Sequence, residues 1–266
     1  LDFGTNGEVV VGNGEWLMAC AASAGPAFEG GGVSCGMRAI SGAIESVRID
    51  PATHACTMNV IGQGRPVGIC GSGLVDLLSE LTTSGLIDSS GKFDPSRGND
   101  RIRQANDSAR NLAYTVVPAS ESRTGKPIAI DEHDIANLLR TKAAVYSACA
   151  VMLKSVGLDF DAVAEIYIAG GFGRYLNVER SIAIGLLPDL PHERFTYLGN
   201  SALTGAQAML CDADARRKVD ELASRITYLE LNADPAYMTE YTAALFLPHT
   251  DMGRFPSVKQ KRNLDK

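Results

Sequence analysis

Leu1-Asp2-Phe3-Gly4-Thr5-Asn6-Gly7-Glu8 runs from a short apolar strand into a glycine turn that sets a carboxylate and a hydroxyl beside bare backbone. More than a hundred residues later, Ile166-Tyr167-Ile168-Ala169-Gly170-Gly171-Phe172-Gly173 repeats the passage from strand to glycine, with no charged residue in the turn. The first turn offers polar groups and amides to phosphate and Mg2+. The second offers a flat glycine surface to a planar base. Together they are what a nucleotide clamp needs, and they frame the reading of the residues between them.

Working outward, residues 1–3, 8–12 and 15–21 read as three short strands, with Asn13-Gly14 as a two-residue hairpin turn. Ala24 to Gly32 is a glycine-rich connector, and small and apolar residues from Gly36 to about Ile44 suggest a helix. Residues 45–70 read as short antiparallel strands. Gly71-Ser72-Gly73 then opens a helix to about Thr83, with Leu74, Leu77, Leu78 and Leu81 on one face. Residues 85–111 are polar and turn-rich, as a long loop or lid would be, and Tyr114 to Val117 reads as a strand.

Asp131 and Asp134 introduce a long helix over about 132–156. Its apolar residues from Ile135 to Leu153 keep a spacing of three and four that marks a core face, and Gly157 stops it. Next come a strand over 163–169, a short helix near 178–184 and a strand over 195–198. A helix capped by Asn200-Ser201, a polar helix over 212–224, a strand over 226–231 and a helix over 235–245 follow. The tail after Pro256 is expected to fray. Strands that open in a hairpin and then alternate with helices give a mixed α/β fold, a mixed sheet flanked by helices, with an inserted α+β section.

Composition narrows the function. The chain has 266 residues, 45% hydrophobic and 21% charged, enough to bury a substantial core. A net charge of −6 argues against nucleic acid or an anionic membrane as a general partner. No apolar run reaches the roughly 18 residues of a membrane helix, and no signal peptide is visible. The six cysteines form no C-x-x-C pair and match no zinc or iron–sulfur spacing, so they read as reduced, mostly buried thiols of a cytoplasmic protein. The four histidines read as surface or capping residues. Residue 1 is not Met and already lies inside a strand pattern, so the chain reads as part of a longer polypeptide.

The candidate site residues each carry two readings. Asp2 holds Mg2+ through water or orients an attacking water, while Thr5 and the amides of Gly4, Asn6 and Gly7 contact phosphate. Alternatively, Asp2, Thr5 and Asn6 only satisfy the turn. Glu8 points into a cleft as a second catalytic carboxylate, or is a charge on a strand face. Gly71 and Ser72 bind an anion at a helix start, or Ser72 is the N-cap. Gly170, Gly171 and Gly173 let a base lie against backbone, or pack a strand against a helix; Phe172 stacks or is core.

The order of elements resembles the second lobe of the actin-like ATPase superfamily. More narrowly, five motifs spread along nearly the whole chain resemble the C-terminal ATPase domain of the reductive activators of corrinoid proteins. They are Asp2-Phe-Gly-Thr-Asn-Gly-Glu8, Ala24-Gly-Pro-Ala-Phe-Glu-Gly-Gly31, Gly68-Ile-Cys-Gly-Ser-Gly-Leu74, Ala169-Gly-Gly-Phe-Gly-Arg-Tyr-Leu-Asn177 and Leu198-Gly-Asn-Ser-Ala-Leu-Thr-Gly-Ala206. A methylamine-type activator fits less well, because no cluster cysteines follow Cys211.

The resemblance implies ATP and Mg2+ as cofactors, an adenosine loop at 168–173, and a ribose contact from Glu29. It implies a [2Fe–2S] cluster and a first ATPase lobe upstream of these residues, and a corrinoid protein as partner, reduced from Co(II) to Co(I). It divides the chain into a second lobe (1–44 and 130–250), an inserted α+β subdomain (45–129) and a tail (251–266). A homodimer stays open. So do two other functions: a small-molecule kinase of the same superfamily, for which no acceptor site is visible, and a non-catalytic docking module.

Overall fold

The computed structural model describes residues 1–97, 100–105, 111–171 and 176–264. Its central six-stranded sheet starts from β1 (Asp2–Phe3), β2 (Gly7–Gly12) and β3 (Leu17–Ala22). The section that follows holds β4 (Ala43–Ile49), β5 (Cys56–Val60), β6 (Gly68–Ile69) and α1 (Gly71–Thr83). Then come β7 (Ile102–Gln104), β8 (Leu112–Val117), β9 (Ile128–Asp131) and the long α2 (Glu132–Ser155). The chain returns to the central sheet with β10 (Ile166–Ala169), α3 (Val178–Ala183) and β11 (Phe195–Gly199). It ends with α4 (Ser201–Cys211), α5 (Ala213–Arg225), β12 (Ile226–Tyr228), α6 (Pro235–Ala244) and α7 (Pro256–Leu264).

The central sheet runs in the order β11-β10-β1-β2-β3-β12. β1, β10 and β11 are parallel neighbours, whereas β2 is antiparallel to both β1 and β3. Two further sheets, β5-β4-β6 and β7-β8-β9, lie in the section between β3 and α2. This is the mixed α/β architecture expected from the sequence.

Alternation along the strands decides which face is covered. Phe3, Val9, Cys20, Ala22 and Ile168 turn inward, against α2, whose Leu138, Val145, Tyr146 and Met152 are buried. The stripe read as core is core. Gly7 lets the sheet and α2 meet closely: a Cβ there would lie 3.0 Å from Val145 Cγ2. The reverse face carries Glu8, Val10 and Tyr167, all exposed. Asp131 N-caps α2, accepting from Asp134 N at 2.8 Å, and Asp134 closes a capping box. One α2 residue breaks the apolar pattern. Lys142 is wholly buried, and its Nζ donates to the carbonyls of Phe246 and Pro248 (2.7 Å to the latter).

Six expectations need correction. The strands of 45–70 are not all antiparallel: β5 is antiparallel to β4, but the chain then crosses to the other edge of β4, where β6 pairs in parallel, Ala43 with Gly68 and Ile44 with Ile69. Residues 36–42 are not helical, because Cys35 and Met37 spend their backbone bonds on Ile69: Met37 N donates to Ile69 O at 2.9 Å and Ile69 N to Cys35 O at 2.8 Å. The first hairpin connection spans four residues, 13–16, because the Asn13 side chain accepts from Glu15 N and Trp16 N and pulls them out of the ladder. Segment 85–111 is not bare loop; it holds a Pro95–Arg97 3-10 turn and β7. His249 is not at the surface. It is buried beside Glu240 (Nε2 to Oε1, 3.4 Å), although its Nδ1 does accept from Asp251 N. The tail does not fray after Pro256 but forms α7, anchored by buried Phe255 and Val258 and by Ser257 bonded to Asp189.

Candidate functional site

In a sheet with parallel neighbours, ligands gather outside the carboxyl ends of the strands. β1, β10 and β11 all end on one edge, and both glycine turns leave from that edge. Asp2 pairs in parallel with Ala169, so the first turn and Gly170-Gly171 begin side by side. Their contact is close enough to exclude any other residue at 170. A Cβ there would lie 2.7 Å from Asp2 Oδ1 and collide with the Phe3 carbonyl, and φ is +94°.

Asp2 also faces Glu8 across the antiparallel β1–β2 pair. Directly opposed residues project to the same face, about 4.5–5.5 Å apart at Cβ, and like charges so placed repel. A hard cation between them would relieve that repulsion, and paired carboxylate oxygens are the donors Mg2+ takes. Among the described residues no group of three or more His, Cys, Asp or Glu side chains is arranged to hold a metal. Two carboxylates make no protein cage, and a Mg2+ held between them would keep waters and phosphate oxygens of its own.

The rest of the first turn is tight. Gly4 N donates to Asn6 O at 3.0 Å, and Thr5 Oγ1 donates to Glu29 Oε2 at 2.7 Å. Glu29 thus approaches the turn from the connector, and the connector is fixed by α2. Thr141 Oγ1 donates to Ala24 O (2.7 Å), Asn137 Nδ2 to Gly32 O (2.6 Å), and Ser34 N to Asp134 Oδ1 (2.8 Å). Within it the chain crosses itself at Gly30, φ +87°, where a Cβ would lie 2.8 Å from Met37 Cα. That crossing carries Met37 and Arg38 to the same place as Glu29.

A cavity of about 300 Å³ results, lined by Glu29, Arg38, Cys70, Gly71, Ser72 and Gly171, with Phe28, Met37 and Ala39 completing it. Four of the expected residues share it: Glu29, Gly71, Ser72 and Gly171. Thr5 and Gly4 adjoin it through Glu29. Asn6 turns the other way, into a larger cavity of about 580 Å³ that also takes Tyr228, Tyr237 and Tyr241. Size does not make that the site, because it collects only one of the residues expected from the sequence. Phe172 and Gly173 lie outside the described residues. Gly7 belongs to β2 and serves packing against Val145.

Ser72 is not the helix cap. α1 begins at Gly71 with Cys70 as N-cap, and no side chain satisfies its first amides. Ser72 Oγ instead donates to Glu45 O at 2.8 Å. Gly71, at this helix start without a side-chain cap, lines the cavity. Arg38 was not singled out by sequence. It has no motif around it, and only the Gly30 crossing delivers its exposed side chain to the cavity, where it brings positive charge.

The family described as the C-terminal domain of RACo, the ASKHA domain, matches residues 1–259. The corrinoid activation enzyme RamQ of Eubacterium limosum is 35% identical over 245 residues, 91% of this chain and 41% of that protein. The [Co(II) methylated amine-specific corrinoid protein] reductase of Methanosarcina barkeri is 24% identical over 248 residues, 85% of this chain and 41% of that one. A solved structure, the reductive activator for corrinoid, iron-sulfur protein, superposes with a TM-score of 0.91 at 49% identity. It covers 97% of this chain and 40% of its own. The chain thus spans about two fifths of the length of these relatives.

Proposed function

Because the chain belongs to the RACo C-terminal ASKHA-domain family, we propose that it is the nucleotide-binding part of an ATP-dependent reductive activator of a corrinoid protein. The observation that carries this reading is the junction of Asp2 and Gly170 at the carboxyl ends of β1 and β10, beside a cavity that also gathers Glu29 and Gly71. Its volume is at the low end of the roughly 300–1,000 Å³ typical of ligand sites. The base and ribose lie against Gly171 and Glu29. Arg38 and the α1 amino end would face the phosphates, with Thr5 and Gly4 beside Glu29 at the first turn. Asp2, paired with Glu8, would hold Mg2+ through water, and the ion would supply charge neutralisation on the phosphate oxygens. Asp2 would also orient the attacking water.

Reducing Co(II) to Co(I) needs one electron, which nucleotide does not provide. The electron comes from a [2Fe–2S] centre elsewhere in the polypeptide, and this chain contributes the free energy of a conformational change. Such coupling works only if the nucleotide binds two states of the complex with different affinity. The division into a lobe (1–44 and 130–250), an inserted section (45–129) and a tail (251–266) belongs to this proposal, as do a cytoplasmic location and a homodimer. No described helix is long and apolar enough to cross a membrane.

The test is nucleotide binding by the intact protein. Mg-ATP at about a hundred-fold excess over Kd should raise stability by about 2.7 kcal/mol, visible as a higher Tm. Asp2→Asn should abolish the dependence of that shift on Mg2+. Reactivation of the Co(II) partner at the same rate with and without ATP would defeat the proposal.

A further inference from the structure

Behind the cavity lies a charged cluster to which nothing above gives a task. Arg180, on α3, bonds to three groups at once: Nη1 donates to Val47 O at 2.6 Å and lies 3.2 Å from Asp76 Oδ2, and Nη2 lies 2.8 Å from Glu80 Oε1. All three side chains are largely covered, at 14%, 10% and 19% exposure. Each carboxylate also holds a backbone amide: Asp76 Oδ2 itself accepts from Val47 N at 3.3 Å, and Glu80 accepts at its other oxygen, Oε2, from Ile49 N at 2.7 Å. One guanidinium therefore ties α3 to α1 and to β4.

Those ties matter because of what α1 carries at its amino end, Gly71 and Ser72, which line the cavity. We propose that Arg180 is a positioning residue for the nucleotide: through Asp76 and Glu80 it fixes α1, and with it the Gly71–Ser72 turn, against β4 and α3. The inference rests on the nucleotide reading above.

A consequence separates this from a purely structural brace. Burial pushes the Asp76 carboxyl up to about 6, against the opposing pull of Arg180 and the Val47 amide. The charged groups facing it are Arg180 on α3, Glu80 on its own helix and Arg48 on β4. As pH falls through about 6, Asp76 takes a proton and its hold on Arg180 weakens, so nucleotide affinity drops. Stability moves the other way. A carboxyl raised in the folded state binds protons more readily folded than unfolded, so between about 6 and its ordinary value acidification favours the fold through this group.

The experiment measures the Kd of Mg-ATP for the intact protein and for Asp76→Asn between about pH 7.5 and about pH 5.5. The nucleotide's own protonation is common to both proteins and cancels in their ratio. At the upper pH Asp76→Asn should bind about three- to ten-fold more weakly than wild type, and the ratio should approach one at the lower pH. Arg180→Lys, which reaches one carboxylate but cannot fork across two, should be weakened as well, and it carries the same comparison if Asp76→Asn does not fold. Folded variants that bind like wild type at every pH overturn the inference and leave the nucleotide reading standing. Wild type that binds no nucleotide overturns both.

Discussion

At Gly170 one missing methyl group decides whether two strands can end together. Any side chain there would press on the Phe3 carbonyl and on Asp2 Oδ1 and would have to hold φ at +94°. Gly170→Ala should therefore cost about 1–3 kcal/mol in urea unfolding. It should also push Asp2 aside and so weaken Mg-ATP binding. Both turns were legible in the sequence, since glycine after an apolar strand has few other uses. Arg38 was not, because its approach depends on the crossing of Gly30 and Met37, a contact no local pattern announces. Ser72 misled for a related reason. Its hydroxyl had a local task available, capping α1, and a distant one, Glu45 O, and the distant one won.

Among elements, α2 links core and site. One face fills the interior under the central sheet, and its first turns bond to the connector that carries Glu29. Removing its cap with Asp131→Ala should cost about 0.5–2 kcal/mol in thermal or denaturant unfolding. The loss should exceed that of an ordinary surface substitution, because Asp131 Oδ2 also accepts from Asn111. α2 was readable almost to the residue from its capping acids and apolar spacing. The helix expected over 36–44 failed because Cys35 and Met37 pair with Ile69, more than thirty residues away. The same holds for α7, whose Phe255 and Val258 find a core that a window of local sequence does not contain.

For the molecule as a whole, the buried amine of Lys142 couples stability to alkaline pH. Burial holds its pKa well below the ordinary lysine value. The unfolded chain therefore binds a proton that the folded chain does not, and stability contributed here rises as pH climbs toward that ordinary value. In denaturant titrations over the neutral to alkaline range, wild type should gain stability relative to Lys142→Met, whose side chain does not titrate. The overall α/β plan was visible from the alternation of strands and helices. The assembly of one cavity from four separate stretches of chain was not, because it is a property of tertiary crossing.

Lys142 has a second implication, for where this polypeptide can be cut. Its two acceptors, Phe246 and Pro248, sit beyond the last residue of α6 and far along the sequence from every phosphate-facing group. A protease or a cloning boundary that removed everything after Ala244 would leave an amine stranded in oil with nothing to accept from it. The trimmed remnant would keep every nucleotide motif and still fail to hold its shape.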